Sequence, residues 1–321
     1  MKRTWMILGC ALALGMGLTA CDDGGTPDPT DSGVTPEEDG SMMMMEDSGP
    51  GPSTPVVMAF DEDTGMEVAA DFSCLGSETA PTGSGEESVT LTAVDFFNSM
   101  PVGDLEVQFF PDNLPSTDGT CTGTCTSVTT GADGTATVTY DRGSWYGYRV
   151  VAGDGTQAGM PKPYVQVIQA NSTSTTLNAV SRSTVNSITA LLGLRQDPEN
   201  GILTGGTADC EGRALVNAQV RIFDSTGQIP FSTASDETKP FYFSGGTPSA
   251  RPTETDESGL YGVGNVPIPA DNIIRVEIWG STAEGEPQTM LGCESVQAVA
   301  DGITVLTVGP TRSDGPSDCS G

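Results

Sequence analysis

The 321-residue sequence contains no histidine. The side chain most often recruited for general acid–base work is therefore missing, along with the commonest metal ligand. Basic residues are scarce as well. Only 13 Lys and Arg stand against 43 Asp and Glu, for a net charge of −30, and from Thr4 to Asp141 there is not one. Such a field repels phosphate backbones and anionic headgroups, which excludes nucleic acid as a partner and a polybasic patch as a membrane contact. No glycine-rich loop followed by lysine stands ready to cradle a phosphate. Paired carboxylates are abundant, but in so acidic a chain any two segments supply a pair, so no catalytic residue and no cofactor is assigned. The expectation is a protein that is not an enzyme.

The apolar run from Trp5 to Leu18 is too short to span a bilayer, which takes about 20 apolar residues. Lys2 and Arg3 precede it, and Leu18-Thr19-Ala20-Cys21 closes it, so residues 1–20 read as a removable export signal. The Leu-Thr-Ala-Cys ending resembles the lipobox of bacterial lipoproteins. That resemblance implies that Cys21 carries the lipid, as palmitate-type acyl chains, and becomes the first residue of the mature protein. Two or more chains on one cysteine make a lasting anchor where a single chain would not. Asp22 resembles an inner-membrane retention signal, but the long acidic tether that follows favours the outer membrane.

Six further cysteines outlast the signal: Cys74, Cys121, Cys125, Cys210, Cys293 and Cys319. An even number in an exported chain points to disulfides, with 15 connectivities open. Cys121 and Cys125 read as a local clip over a turn. Cys210 and Cys293 fall in candidate strands of one module, leaving Cys74 for Cys319. A zinc site is disfavoured because no second closely spaced pair and no histidine completes it.

Residues 21–54 hold the lipidated cysteine and an acidic, Pro- and Gly-rich linker that cannot bury enough apolar surface to offset chain entropy, so disorder is expected. Met42–Met45 interrupts it, a weak copper cue in a tether of this kind. Residues 55–180 alternate with the period of half-buried strands: Val89, Leu91, Ala93; Leu105, Val107, Phe109; Ala136, Val138, Tyr140; Tyr148, Val150. Asp133-Gly134 reads as a hairpin cue. Residues 181–200 form a connector in which Val185, Ile188 and Leu192 share a helical face, limited by Gly193 and Pro198. Residues 201–309 alternate again at Val220–Ile222 and Ile274–Ile278, with an irregular excursion from Asp224 to Pro252, and residues 310–321 are a polar tail.

Gly205, Asp209 and Gly212, then Asn217-Ala218, then Thr255-Asp256 with Gly259 and Tyr261, then Asn265-Val266-Pro267, are similar to carboxypeptidase regulatory-like domains. The resemblance implies a seven-stranded, transthyretin-like sandwich with no catalytic residues of its own. Thr130-Gly131-Ala132-Asp133-Gly134 resembles the same core more faintly. The fold expected is all-β: two Ig-like or transthyretin-like β-sandwich modules in tandem after a disordered linker.

Two ligand classes have candidate residues. Asp61, Glu62 and Asp63 cluster hard oxygen donors suited to Ca2+, as in an adhesion-type module, though without EF-hand spacing. Trp145, Tyr146 and Trp279 offer rings for stacking on sugars, while Tyr148 follows the inward alternation. The partners expected are the membrane through the lipid, and an envelope protein or a glycan.

Overall fold

The computed structural model describes residues 54–79, 83–95, 99–111, 120–144, 146–151, 162–165 and 174–313. Cys21, the linker up to Ser53, Trp145 and Cys319 lie outside them. The chain first runs through β1 (Met58–Asp61), β2 (Met66–Ala69), β3 (Glu78–Thr79), β4 (Glu86–Asp95), β5 (Glu106–Phe110), β6 (Thr126–Thr129) and β7 (Thr135–Asp141). There follow β8 (Gly147–Val151), β9 (Lys162–Val165), β10 (Ser174–Ala179), the helix α1 (Arg182–Leu191), β11 (Gly201–Gly206), β12 (Ala214–Val216), β13 (Gln219–Asp224) and β14 (Gly227–Gln228). The remainder is β15 (Lys239–Ser244), β16 (Thr247–Ser249), β17 (Leu260–Val266), β18 (Ile273–Gly280), β19 (Thr289–Gln297), β20 (Gly302–Val305) and β21 (Arg312–Ser313).

The alternating segments become strands that bury one row each. In β4, Val89, Leu91 and Ala93 have no exposure, and they meet Val107 and Phe109 of β5, Tyr148 of β8 and Leu177 of β10 in one core. That core lies between a sheet ordered β10-β4-β7 and the run β9-β8-β5-β6. A second core gathers Leu203, Val220, Ile222, Tyr261, Val263, Ile274, Val276 and Ile278. It lies between β16-β15-β17-β11-β20 and a sheet ordered β14-β13-β18-β19. Burying side chains of this size stabilises by about 1.5–3 kcal/mol apiece. Both cores are β-sandwiches, as the alternation implies.

The two sandwiches repeat one topology. In the first, β4 pairs antiparallel with β7 and parallel with β10, while β8 pairs antiparallel with β5 and β9. In the second, β11 pairs antiparallel with β17 and parallel with β20, while β18 pairs antiparallel with β13 and β19. The excursion between Asp224 and Pro252 is ordered in part: the β15–β16 hairpin extends the second sandwich along the edge of β17.

The repeat extends to individual hydrogen bonds. The Thr255 hydroxyl donates to Leu215 O at 2.6 Å and accepts from Ala218 N at 3.0 Å. The Thr130 hydroxyl donates to Val102 O at 2.9 Å and accepts from Leu105 N at 3.0 Å. Four backbone bonds surround each hydroxyl in the same pattern. Thr255 N and O bond Ala218 O and Asn217 N, and Thr130 N and O bond Leu105 O and Asp104 N. Gly259 O accepts from Thr207 N, whose carbonyl in turn accepts from Leu215 N; Gly134 O, Ala93 and Val102 do the same. Asn217 and Asp104 both sit at positive φ, 64° and 57°, as do Gly259 at 63° and Gly134 at 76°. A Cβ on Gly134 would fall 2.6 Å from Ala93 O, and one on Gly259 3.0 Å from Thr207 O, so both positions require glycine for space as well as conformation.

This node corrects the reading of Asp133-Gly134 as a hairpin. β6 pairs with β5 and β7 pairs with β4, so the turn carries the chain from one sheet to the other. Asp133 closes the turn by accepting from the Thr135 backbone N–H and hydroxyl, and the same bonds hold its carboxyl below the usual range.

The module boundaries also differ from the sequence reading. β1 pairs with β12 and with β2, and Val57 belongs to the second core. Residues near 57–72 therefore join the second sandwich, and the chain makes the first sandwich as an excursion before returning. The return passes through α1, capped by Ser181, whose hydroxyl accepts from Thr184 N at 3.1 Å. Its apolar face, with Val185 and Ile188, packs onto β11, β15 and β20 residues as the spacing predicts. Arg182 grips Asp301 at 2.6 Å. The sandwiches meet where β9 pairs parallel with β20 over Lys162–Val165 and Gly302–Val305. Among the described residues, one nine-stranded sheet thus runs through both cores.

Replacing Thr130 or Thr255 by valine keeps the volume and strands a buried N–H and C=O. Each substitution is expected to cost about 2–4 kcal/mol, with the two values similar, as read from urea unfolding of the single variants.

Candidate functional site

The polar chemistry of the second sandwich concentrates where residues 69–77 cross the loop before β12. The Asp209 side chain is fully buried there. One carboxylate oxygen accepts from Glu211 N at 3.0 Å and Arg213 N at 2.9 Å, closing the turn in which Gly212 adopts φ 78°. The other accepts from Asp71 N at 3.1 Å and from Arg213 Nε and Nη2 at 2.9 and 2.6 Å. Charge-assisted bonds of this forked kind are the strong ones. The Asp209 bond raises the Arg213 guanidinium above its usual value. Arg213 Nη2 also donates to Ala69 O, and Cys210 N to Asp71 O.

A disulfide lies on this crossing. Cys74 is bonded to Cys210, 136 positions away, where the sequence reading paired Cys210 with Cys293 and Cys74 with Cys319. The correction follows from the path of the chain. Sequence order puts Cys74 with the first module, whereas its segment docks beside Asp209. Cys121 is bonded to Cys125 in the loop before β6. Cys293 is disulfide-bonded as well.

The candidate ligand residues separate. Asp61, Glu62 and Asp63 form the tight turn of the β1–β2 hairpin. Asp61 Oδ1 accepts from Asp63 N at 2.9 Å, Gly65 N donates to Asp61 O at 2.8 Å, and Glu62 and Asp63 point into solvent. Among the described residues no three acidic or cysteine side chains are grouped to hold a metal ion, and the Asp61 carboxylate serves the turn.

The aromatic set also comes apart. Tyr146 is fully buried in the first core, shares a 2.5 Å hydrogen bond with the Thr175 hydroxyl and packs against Phe109 and Tyr140 at 5.1 and 5.0 Å. It cannot stack on a sugar. Tyr148 is core, with its phenol pushed up by burial. Trp279 is half-buried on the outer face of the β13–β18 sheet, one ring face covered by the Arg221 guanidinium at 4.1 Å. Its Nε1 donates to Glu277 at 2.7 Å, Glu277 also pairs with Arg275, and Arg275 stacks on Phe223 at 4.6 Å. The ring is the end of an internal ladder of stacked cations and aromatics.

Sequence reasoning passed over the Asp209–Arg213 knot because a buried ion pair leaves no periodic signature. The Asp-x-x-Gly spacing was the available signal, and it marked the turn without the charge.

No family model matches the chain, and no curated protein matches it. Solved structures that align with it include the TIE protein of Bacillus anthracis, at 10% identity over 70% of this chain and 34% of that one, with a TM-score of 0.22. The shaft pilin SpaA of Lactobacillus rhamnosus GG aligns at 13% identity over 70% of this chain and 98% of the pilin, with a TM-score of 0.22. BcpA, the major pilin subunit of Bacillus cereus, aligns at 8% identity over 70% and 100%, also with a TM-score of 0.22. The chain spans about a third of the length of the first of these. Likeness of this size carries no argument about the protein.

Two variants test the crossing. Asp209→Ala leaves a partly buried guanidinium and three backbone N–H groups without their acceptor and is expected to cost about 3 kcal/mol. Opening the long loop with Cys74→Ala and Cys210→Ala together is expected to cost about 3–5 kcal/mol. Both are read as a lowered urea midpoint, and an unchanged midpoint would remove the crossing from the structural core.

Proposed function

We propose that this chain is a non-enzymatic, lipid-anchored envelope protein whose paired sandwiches form a stiff body for structure or protein contact. The observation that carries the reading is the β9–β20 joint. Two sandwiches connected by flexible chain move independently, whereas two that share a sheet present a surface of fixed geometry. The Cys74–Cys210 bond and the Asp209 knot tie the N-terminal strands into the same body. The lipobox-like Leu18-Thr19-Ala20-Cys21 supplies the attachment, and the acidic linker supplies the reach.

Membership among bacterial lipoproteins, kinship with carboxypeptidase regulatory-like domains and an outer-membrane location belong to this proposal. Among the described residues no helix is long and apolar enough to cross a membrane. A glycan-binding reading loses Tyr146 to the core, with one face of Trp279 covered by Arg221, and Asp61 of the candidate calcium cluster bonds its own turn.

Cell fractionation tests the anchor. Cys21→Ser is expected to move the protein from the membrane pellet to the soluble fraction, with loss of acyl-chain labelling. Retention in the pellet would sink the lipid-anchored reading. Rigidity is tested separately by small-angle scattering of the folded part, where a single extended rigid shape is expected and an ensemble of inter-module angles is not.

A further inference from the structure

Strand β7 (Thr135–Asp141) ends the sheet β10-β4-β7 and, among the described residues, has a strand neighbour on one side only. The two ends of its ladder set the hydrogen-bond phase. Ala93 N donates to Gly134 O at 2.8 Å, and Arg142 N donates to Gly85 O at 3.1 Å. In the antiparallel register between those ends, Ala136, Val138 and Tyr140 direct their backbone groups to β4. The alternate residues direct theirs away from the sheet. Some of these are used locally: Thr135 N donates to Asp133, Thr135 O accepts from Gly131 N, and Asp141 O accepts from Ser144 N. Thr137 and Thr139 are exposed, and both their N–H and C=O groups point outward with no partner among the described residues.

Exposed sheet edges are ordinarily guarded against strand addition by brevity, proline, lysine or a bulge. β16 carries Pro248 at its centre, β14 is two residues long, and the four residues of β6 follow directly on the Cys121–Cys125 clip. β7 runs for seven residues with no proline, no lysine and an unbroken register. The row it presents on the outer face is also uncharged. Ser88 and Thr90 of β4 stand opposite Thr139 and Thr137, and Thr92 opposite Thr135. In a chain of net charge −30, such a strip lets a second copy approach without like charges facing each other.

We infer that β7 is a self-pairing edge, along which two copies of this chain join antiparallel about a two-fold axis at Val138. Thr137 of one copy then faces Thr139 of the other, and every outward N–H and C=O of these two residues gains a backbone partner. Threonines directly opposite each other are also favourable cross-strand neighbours. The antiparallel sense sorts the charges. Glu86, Glu87 and Asp141 lie at one end of the β4–β7 ladder, and a parallel pairing would set them against their own copies. Antiparallel pairing sends them to opposite ends of the new ladder, about 20 Å apart. It also brings Arg142 of each copy opposite Gly134 of the other, next to Asp133. Edge pairing is already how this chain joins its own sandwiches, at β9 and β20. The inference deepens the protein-contact reading by naming a second copy as the partner, and it does not depend on the lipid anchor.

Sedimentation of the full chain in detergent tests the pairing, at about 100 µM because a single shared edge makes a small interface. The parent chain is expected to be a dimer. Thr137→Pro removes an outward N–H and leaves the β4–β7 bonds in place, so it is expected to be monomeric with an unchanged urea midpoint. A monomeric parent chain, or a Thr137→Pro chain that dimerises as the parent does, overturns the inference. If Thr137→Pro lowers the midpoint, Thr137→Lys is read in its place with the same expectation. Cys21→Ser is expected to dimerise like the parent; a monomer there would assign the dimer to shared lipid or micelle and overturn the edge, whatever the fate of the anchor. Disulfide trapping with diamide reads the register. Residues directly opposite lie about 5.5 Å apart, whereas diagonal ones exceed the roughly 7 Å that a disulfide spans. Thr137→Cys mixed with Thr139→Cys is therefore expected to cross-link at least tenfold more than either variant alone. Equal cross-linking by one variant alone, or trapping only of a different envelope protein, overturns the second copy as the occupant in this register.

Discussion

A buried threonine hydroxyl decides how each sandwich is wired. When a strand ends in one sheet and the next begins in the other, the chain must cross the core edge with its backbone groups satisfied. Thr130 does this between β6 and β7 by donating to one carbonyl and accepting from an N–H three residues further along the facing loop, and Thr255 makes the same two bonds ahead of β17, after β15 and β16 of the same sheet. The loop can present both groups only because Asp104 and Asn217 turn it through positive φ, and the crossing can approach only because Gly134 and Gly259 lack a side chain. The pairings of β4 with β7 and of β11 with β17 both start beside these threonines. Two stretches with little sequence in common therefore reach one topology by keeping a handful of geometrically demanding residues.

The next level of organisation follows from where the chain begins its folded part. Because β1 and β2 belong to the second sandwich, the first is bracketed by it: the chain leaves after Cys74, builds β4 to β10, and returns through α1. A module held at both ends and along a sheet edge has few ways to swing. The Asp209 carboxylate and the Cys74–Cys210 bond fasten the point of departure, and Arg182 with Asp301 fastens the point of return. Asn265 contributes there too, accepting from Asp197 N at 2.7 Å and donating to Arg195 O at 2.9 Å. The Asn-Val-Pro stretch that marked a family resemblance is thus the latch for the connector.

Much of this was legible beforehand. Val89, Leu91, Val220, Ile222, Ile274 and Ile278 announce half-buried strands by their period, and Val185 with Ile188 announces the helix. Cross-sheet topology was legible only through resemblance, since alternation tells which face is buried and not which strand is the neighbour. Asp133-Gly134 shows the limit: a turn signal fixes a reversal of direction, whereas the partner of the Thr130 hydroxyl, 28 positions upstream, decides which sheet is entered. Cys74 was misassigned for the same reason, because a strand contact between residue 59 and residue 215 has no local trace. The candidate ligand residues carry a different lesson. Asp61 and Tyr146 have the right chemistry for ligands, but their functional groups are consumed by the turn and the core.

The joint between the sandwiches joins unlike edges, the last strand of one sheet in the first module to the parallel-paired strand of the opposite sheet in the second. A like-to-like contact would be used up once made. An unlike one has polarity and does not close on itself, in the way a brick laid end to side leaves another end free. Among the described residues β10 of the first sandwich and β19 of the second are edges of these same two kinds, so a further module of this wiring would meet either one without a new interface geometry.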